Sequence, residues 1–527
     1  MGLSPPERSF HMECIAQNIH MDVLRCKIES QFTLEQDCNV GDSKPDLTHI
    51  LLSDAFIKLE EVRPGNGEVT LRGKLCYRLL YSSEDCFGSL HTLQGKIPFE
   101  ECLQVPDLNV ADHPMITIEL EHLQIHPINS RKINVRALML VNGTVEDISD
   151  AVLCYDLVDC REEMQLHHTE QKVLNLNVMK KEICRIREEA KLTASMPELK
   201  EILWEQTQVC NLTFQPLEDK LLIKGELSLL LLYLSADEHE SIECFETMIP
   251  FQSALDCTGC KEGLIPHITY SVSQKSFEIL PDVDGLERII GVDLVLDLCV
   301  KLYEEISLSL IDDLYGIQSE LVPEYTTYPI KKLSSNTIAK MRFEKDFSLN
   351  SSDNILQVKC TKALLCLQRC VPASEGLEME GYLSLQILTV TDDDRFPYRI
   401  QKAEIPFNYC VAANGSLEKM LYEISANLES CQVTPASGDT FTLKCQACFD
   451  VFAYSEEELS SLSEVKVSSY PKQVSDNIAG ISVYYVSESS SLWEIGKDSL
   501  VPLQKIRDLN SLSSDTLIPG QKLLIMR

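Results

Sequence analysis

Three stretches decide the architecture: Gly73-Lys74-Leu75 followed by Ile97-Pro98-Phe99, Gly225-Glu226-Leu227 followed by Ile249-Pro250-Phe251, and Gly381-Tyr382-Leu383 followed by Ile405-Pro406-Phe407. The step from glycine to proline is 25 residues every time (73 to 98, 225 to 250, 381 to 406). The glycines recur after 152 residues (73 to 225) and then after 156 (225 to 381). Self-similarity at so long a period marks three copies of one structural unit.

Outward from each glycine the apolar residues alternate. Val69, Leu71, Leu75, Tyr77, Leu79 and Tyr81 share one parity in the first copy, against Thr70, Arg72, Lys74 and Arg78. Leu221, Ile223, Leu227, Leu229, Leu231 and Tyr233 repeat the frame in the second. Leu377, Met379, Leu383, Leu385 and Ile387 repeat it in the third. Period two over more than ten residues predicts a half-buried β-strand. The glycine falls on the inward side, so the missing side chain predicts a bend or a close backbone approach. Upstream, Pro45-Asp46-Leu47-x-x-Ile50-Leu51 matches Pro197-Glu198-Leu199-x-x-Ile202-Leu203, which predicts a short helix at the start of each copy. The third copy keeps only Asp353-Asn354-Ile355-x-x-Val358. Downstream of each Ile-Pro-Phe, Ile116–Leu120 with Ile133–Leu140, Val292–Leu298 and Phe441–Phe452 predict further strands. Each copy reads as mainly antiparallel β.

The 527 residues carry 47 Lys and Arg against 81 Asp and Glu, a net charge of −34. Such a surface repels nucleic-acid phosphates and anionic lipid headgroups, so neither is an expected partner. The N-terminal MGLSPPERSFHMECIAQNIHMD has no apolar run of signal-peptide length, and Leu227–Leu234 is too short to span a bilayer. A cytoplasmic protein is expected. The 21 cysteines read as reduced thiols. Cys257/Cys260 and Cys445/Cys448 are the C-x-x-C pairs, and the second lies on a strand-like stretch where residues three apart face opposite ways. No metal or other cofactor is expected.

No catalytic constellation emerges. His167-His168 lies in the polar QLHHTEQK and reads as solvated linker. There is no nucleophile elbow, no phosphate-binding Gly-rich loop and no H-E-x-x-H. Adjacent carboxylates such as Glu60-Glu61 read as ordinary surface. The chain is expected not to be an enzyme.

Ser455–Tyr470, rich in serine and glutamate, reads as a flexible tether. Beyond it the charges balance. The pattern predicts strand Ser482–Val486, helix Ser491–Lys497, helix Pro502–Leu509 and strand Lys522–Met526. Ser491-x-x-Glu494 forms a capping box and Pro519-Gly520 a turn.

Two resemblances follow from these residues. GDSKPDLTHILLSDAFIKLEEV, with VTLRGKLCYRLLY and KIPFEE, resembles the SPOCS domain of sporulation and coat-assembly proteins. Tyr485-Val486, Leu492-Trp493-x-Ile495, Leu509-Asn510, Leu517-Ile518-Pro519-Gly520-Gln521-x-Leu523 and Ile525 resemble a LysM domain. LysM domains bind N-acetylglucosamine glycans in a groove, beside a Gly-Asp-Thr/Ser triplet. Here that triplet is Ser489-Ser490-Ser491. By the resemblance the groove is lined by Tyr485, Ser489, Ser490, Ser491, Trp493, Asn510, Leu512, Ile518 and Pro519. Trp493 reads as packing before ligand stacking.

The resulting expectation is a mainly β chain: N-terminal segment 1–20, SPOCS-like copies 21–160, 161–310 and 311–455 with short helices, flexible linker 456–480, and a βααβ LysM domain 481–527. The combination resembles the SipL-like family of spore-coat assembly proteins. That resemblance implies a scaffold in the mother-cell cytoplasm, recruited to the forespore surface without a transmembrane segment. Its LysM domain would bind a coat ATPase like stage four sporulation protein A. The alternative is a protein that binds peptidoglycan glycan at the cell wall or spore cortex.

Overall fold

Why each Ile-Pro-Phe follows its glycine at a fixed step is a matter of strand register. In the computed structural model Phe99 lies directly across from Gly73, Phe251 from Gly225 and Phe407 from Gly381. A Cβ on Gly73 would meet the Phe99 ring at 2.7 Å and the Lys58 carbonyl oxygen at 2.5 Å. On Gly225 and Gly381 it would meet the Phe251 and Phe407 rings at 2.8 and 2.9 Å. The ring lies over the bare backbone, which is the close approach that the alternation demands. The structure describes residues 10–83, 89–158, 164–238, 240–349, 354–373, 375–393, 397–412, 420–437, 440–470, 480–488 and 490–527.

After a short strand β1 (Phe10–Met12), the first copy runs through β2 (Cys14–Asn39), β3 (His49–Pro64), β4 (Glu68–Ser82), β5 (Leu90–Gln104), β6 (Met115–Asn129) and β7 (Lys132–Leu157). The second runs through β8 (Met164–Lys191), β9 (Leu199–Leu217), β10 (Lys220–Ser235), β11 (Ile242–Asp256), β12 (Ile265–Pro281) and β13 (Glu287–Gly316). The third runs through β14 (Ser319–Ser348), β15 (Ile355–Ala373), β16 (Gly376–Thr391), β17 (Tyr398–Ala412), β18 (Leu421–Ser437) and β19 (Thr440–Ser469). In every copy the second to fourth strands make an antiparallel meander. The last strand pairs between the first and the fifth in an opposing sheet. The inward residues of both sheets form one core per sandwich, with Leu227, Leu229 and Leu231 facing Leu294, Leu296 and Leu298 in the second.

The first and last strands of each copy are 26 to 30 residues long and outrun their sandwich. Their free ends pair as ribbons beyond the sandwiches, and the three ribbons pack against one another. Ile19, Ala151 and Leu153 of the first copy meet Val173, Leu308 and Leu310 of the second and Ile330 of the third. One layer along, Cys154 and Leu157 meet Ile311, Leu314, Leu462 and Val465. The meander sheets meet as well, with Leu52, Leu203, Trp204 and Leu388 in one cluster. β1 pairs with Val465–Val467 of β19, so the N-terminal strand joins the third copy's sheet.

Two sequence expectations are corrected here. No helix starts at Pro45 or Pro197. Both prolines sit in non-helical backbone before a strand, and Ile50 and Leu199 enter β3 and β9, where pairing with the central strand satisfies backbone groups. Each proline carbonyl instead accepts a bond from a tyrosine on that strand, Tyr81 to Pro45 at 3.1 Å and Tyr233 to Pro197 at 3.2 Å. Nor is 456–480 a tether along its whole length. Residues 456–469 continue β19 and pair with β14, and Leu462 and Val465 are buried. Most of the serines and glutamates are exposed, but Ser461 is buried, its Oγ accepting from Cys154 N at 2.9 Å; 471–479 lie outside the described residues.

Candidate functional site

The C-terminal module has β20 (Ile481–Tyr485), α1 (Leu492–Ser499), α2 (Leu503–Asn510) and β21 (Lys522–Met526). Its core is Val486, Leu492, Ile495, Val501, Ile506, Leu523 and Ile525. The capping box is present: Ser491 Oγ accepts from Glu494 N at 3.1 Å, and Glu494 Oε2 accepts from Ser491 N at 3.1 Å. Val486 N donates to Gln521 O (3.0 Å) and Gly520 N to Val486 O (2.8 Å), which sets the Ile518–Pro519 turn beside Tyr485. Gly520 takes φ +84°, the left-handed conformation its turn requires.

The groove residues have divergent fates. Ser491 is consumed as a helix cap. Ser490 Oγ accepts from Ser487 N (3.1 Å) and pairs with Ser487 Oγ (2.6 Å). Ser489 lies outside the described residues. Asn510 spends its amide on backbone: Nδ2 donates to Ile506 O and Leu524 O, and Oδ1 accepts from Leu524 N at 2.7 Å. Leu512 packs against the module core. Three groove positions are open: Tyr485 at 63 % exposure, Ile518 at 69 %, and the exposed Pro519. Lys522 Nζ lies 5.3 Å from the Tyr485 ring centre.

Trp493 is in neither the module core nor the groove. It docks the module onto the second copy. Its Nε1 donates to Asp313 Oδ2 at 2.7 Å, and its ring packs on His167 and Tyr315 at centroid distances of 4.9 and 5.0 Å. Lys497 Nζ contacts both Asp313 oxygens, at 2.6 and 2.7 Å. Tyr315 OH donates to Val501 O at 2.7 Å, and Leu503 N donates to Gln165 Oε1 at 3.3 Å. Burial opposes ionisation of Asp313, yet the bonds from Lys497 and Trp493 hold its carboxyl below the ordinary carboxylate range. His167 is therefore no solvated linker: it lies on β8, bonded to Asp312 at 2.6 Å and packed on the indole. The missed residues are Asp313, Tyr315 and Gln165. One signal was available. Trp493, Gly496 and Lys497 share a helix face at i, i+3 and i+4, and a glycine inside a helix marks a close neighbour. A Cβ on Gly496 would meet Tyr315 OH at 2.7 Å.

Elsewhere, Cys257 and Cys260 are buried in a turn after β11, and Cys445 and Cys448 lie on β19. Among the described residues no group of three or more His, Cys, Asp or Glu is placed to hold a metal. No described helix is long and apolar enough to cross a membrane.

The family model described as SipL, SPOCS domain matches residues 46–128 and 198–280, within the first two sandwiches. The LysM domain model matches residues 484–525. The chain is 46 % identical over 39 residues to the uncharacterized protein YkzQ of Bacillus subtilis (strain 168). That is 7 % of this chain, and the match spans about half (52 %) of the relative's length. No solved structure matches. SPOCS and LysM are non-catalytic domain families, the first related to sporulation and the second to peptidoglycan binding. The chain thus carries two SipL-type SPOCS domains and a C-terminal LysM domain.

Proposed function

We propose that the chain is a non-enzymatic scaffold of spore-coat assembly, and that the outward face of its LysM domain captures a coat-building ATPase like stage four sporulation protein A. The observation that carries this reading is the chemistry of the open groove. The polar groups of Ser490, Ser491 and Asn510 are turned to the module's own backbone, while Tyr485 and Ile518 stand in solvent. Sugar hydroxyls need convergent donors and acceptors, whereas an aromatic and an aliphatic anchor with a polar rim suit a protein partner. Docked on the second copy, the module is held in a fixed pose, which lowers the ordering cost of capture. On this reading the protein works in the mother-cell cytoplasm and gathers at the forespore surface.

A second reading rests on the LysM match and the exposed Tyr485 ring, which could stack on a pyranose face of peptidoglycan. Two captures on the full chain separate them. Under the scaffold reading the ATPase is retained, Tyr485→Ala with Ile518→Asp weakens retention at least tenfold, and purified peptidoglycan retains little. Saturable retention on peptidoglycan, lost with Tyr485→Ala, decides for glycan.

A further inference from the structure

Two junctions between copies contain clefts, and the equivalent positions of the three copies act as mutual controls. The cleft between the first and second copies has a volume of about 560 Å³. It is lined by Lys58, Arg78, Lys96 and Lys275 and by two carboxylates, Asp54 and Glu205. Both carboxylates are already matched. Asp54 pairs with Lys362 at 2.7 Å and Lys275 at 3.4 Å, and Glu205 pairs with Arg78. Lys58 and Lys96 form no ion pair among the described residues; Lys58 reaches only Gln274, at 3.5 Å. Arg78 is more than nine-tenths buried, and its Nε has no hydrogen-bond partner among the described residues. A chain with net charge −34 thus concentrates uncompensated cations, and one orphaned buried donor, in a single cleft.

The fold does not demand this. The register places Lys58 across from the residue after the repeated glycine, Lys96 across from the third residue after it, and Arg78 five residues after it. In the second copy the same positions are Cys210, Met248 and Leu230. They line the corresponding cleft of about 400 Å³ against the third copy, together with Glu246 and Glu429. In the third copy they are Cys366, Glu404 and Gln386.

We propose that the cleft between the first two copies is a binding site for a small multivalent oxyanion, bearing phosphate or carboxylate groups. Lys58 and Lys96 contact the anion from β3 and β5, and Arg78 Nε stands behind them. The site is independent of the LysM groove, and its test does not involve the ATPase or peptidoglycan.

The test is calorimetric titration of the full chain at constant ionic strength, with pyrophosphate and with citrate. Saturable binding of one equivalent of either supports the site. Pyrophosphate alone assigns phosphate, and citrate alone assigns carboxylate. Lys58→Ala and Lys96→Met, the latter installing the second copy's residue, each weaken binding by about tenfold, the scale of one charge-assisted hydrogen bond. Both side chains are at least partly exposed, so the variants keep the fold, which circular dichroism checks. Absence of saturable binding at millimolar anion overturns the proposal. So does undiminished binding by the folded double variant.

Discussion

Asp22 and Lys331 occupy the same position in two copies and meet as an ion pair. Each lies three residues before the bulge in the first strand of its copy, at Arg25 and at Ser334; Leu174 holds that place in the second. Lys331 Nζ is 2.9 Å from Asp22 Oδ2, which also takes Lys301 at 3.2 Å and Tyr303 OH at 2.9 Å. Lys301 in turn contacts Glu146 at 2.6 Å. Asp22 is 2 % exposed. Removing one partner of such a buried network leaves the others uncompensated. Asp22→Asn is expected to cost about 3–5 kcal/mol in chemical denaturation. A loss below about 1 kcal/mol, the scale of a surface pair, would show that the network adds nothing to the assembly of the copies.

Acid weakens the fold in two stages. His267 is largely covered and stacked on Phe452 at 4.4 Å, and desolvation pushes its pKa below the ordinary 6.5 in spite of Glu423. The unfolded chain therefore binds this proton first, and stability declines as pH falls through 6.5. Burial opposes ionisation of Asp22 and Asp54, but Lys301 and Lys331, and Lys362 and Lys275, hold both carboxyls below the ordinary 3.8. Their contribution is complete above that value and lost as pH falls through the lower folded pKa. Thermal unfolding from pH 8 to pH 3 should show both stages. His267→Gln should abolish much of the first and leave the second.

The LysM dock turns on one carboxylate. Asp313→Asn removes the charge facing Lys497 and is expected to weaken docking by about 1–3 kcal/mol. Trp493→Ala should undock the module fully. With only two tryptophans in the chain, and Trp204 buried at the junction of the copies, emission changes in Asp313→Asn report Trp493 directly. Small-angle scattering should show an increased radius of gyration while the melting of the sandwiches is unchanged. Identical scattering curves for Trp493→Ala and wild type would refute the dock.

Gly73→Ala drives a methyl group into the Phe99 ring and the Lys58 carbonyl. The expected cost is about 1–3 kcal/mol, the range of core overpacking. Phe99→Ala in the same background removes the clashing ring. The double variant is then expected to lose less than the sum of the two single losses, which a double-mutant cycle measures.

The sandwiches were readable because alternation and the fixed glycine-to-proline step are local and repeated. Tyr81 and Tyr233 stood in that alternating frame, yet their bonds to Pro45 and Pro197 join residues 36 positions apart, so the proline motif looked like a helix start. The serines and glutamates of 456–469 signalled polarity correctly. Their pairing with β14 is set by a strand more than a hundred residues away, which composition does not encode. The LysM elements fell within a residue or two of expectation, since caps and turns are written in adjacent residues. The dock was not readable, because Asp313 and Tyr315 acquire their meaning only from a helix 180 residues downstream.

The pairing of Phe10–Met12 with Val465–Val467 sets an order of events. Among the described residues Phe10–Met12 has no strand partner until residue 467 has been made. The inward face of the first ribbon, Ile19 and Ala151 included, is covered by Val173, Leu308 and Leu310 of the second copy and completed by Ile330 of the third. The seam between β1 and β19 therefore closes only after all three copies have been translated.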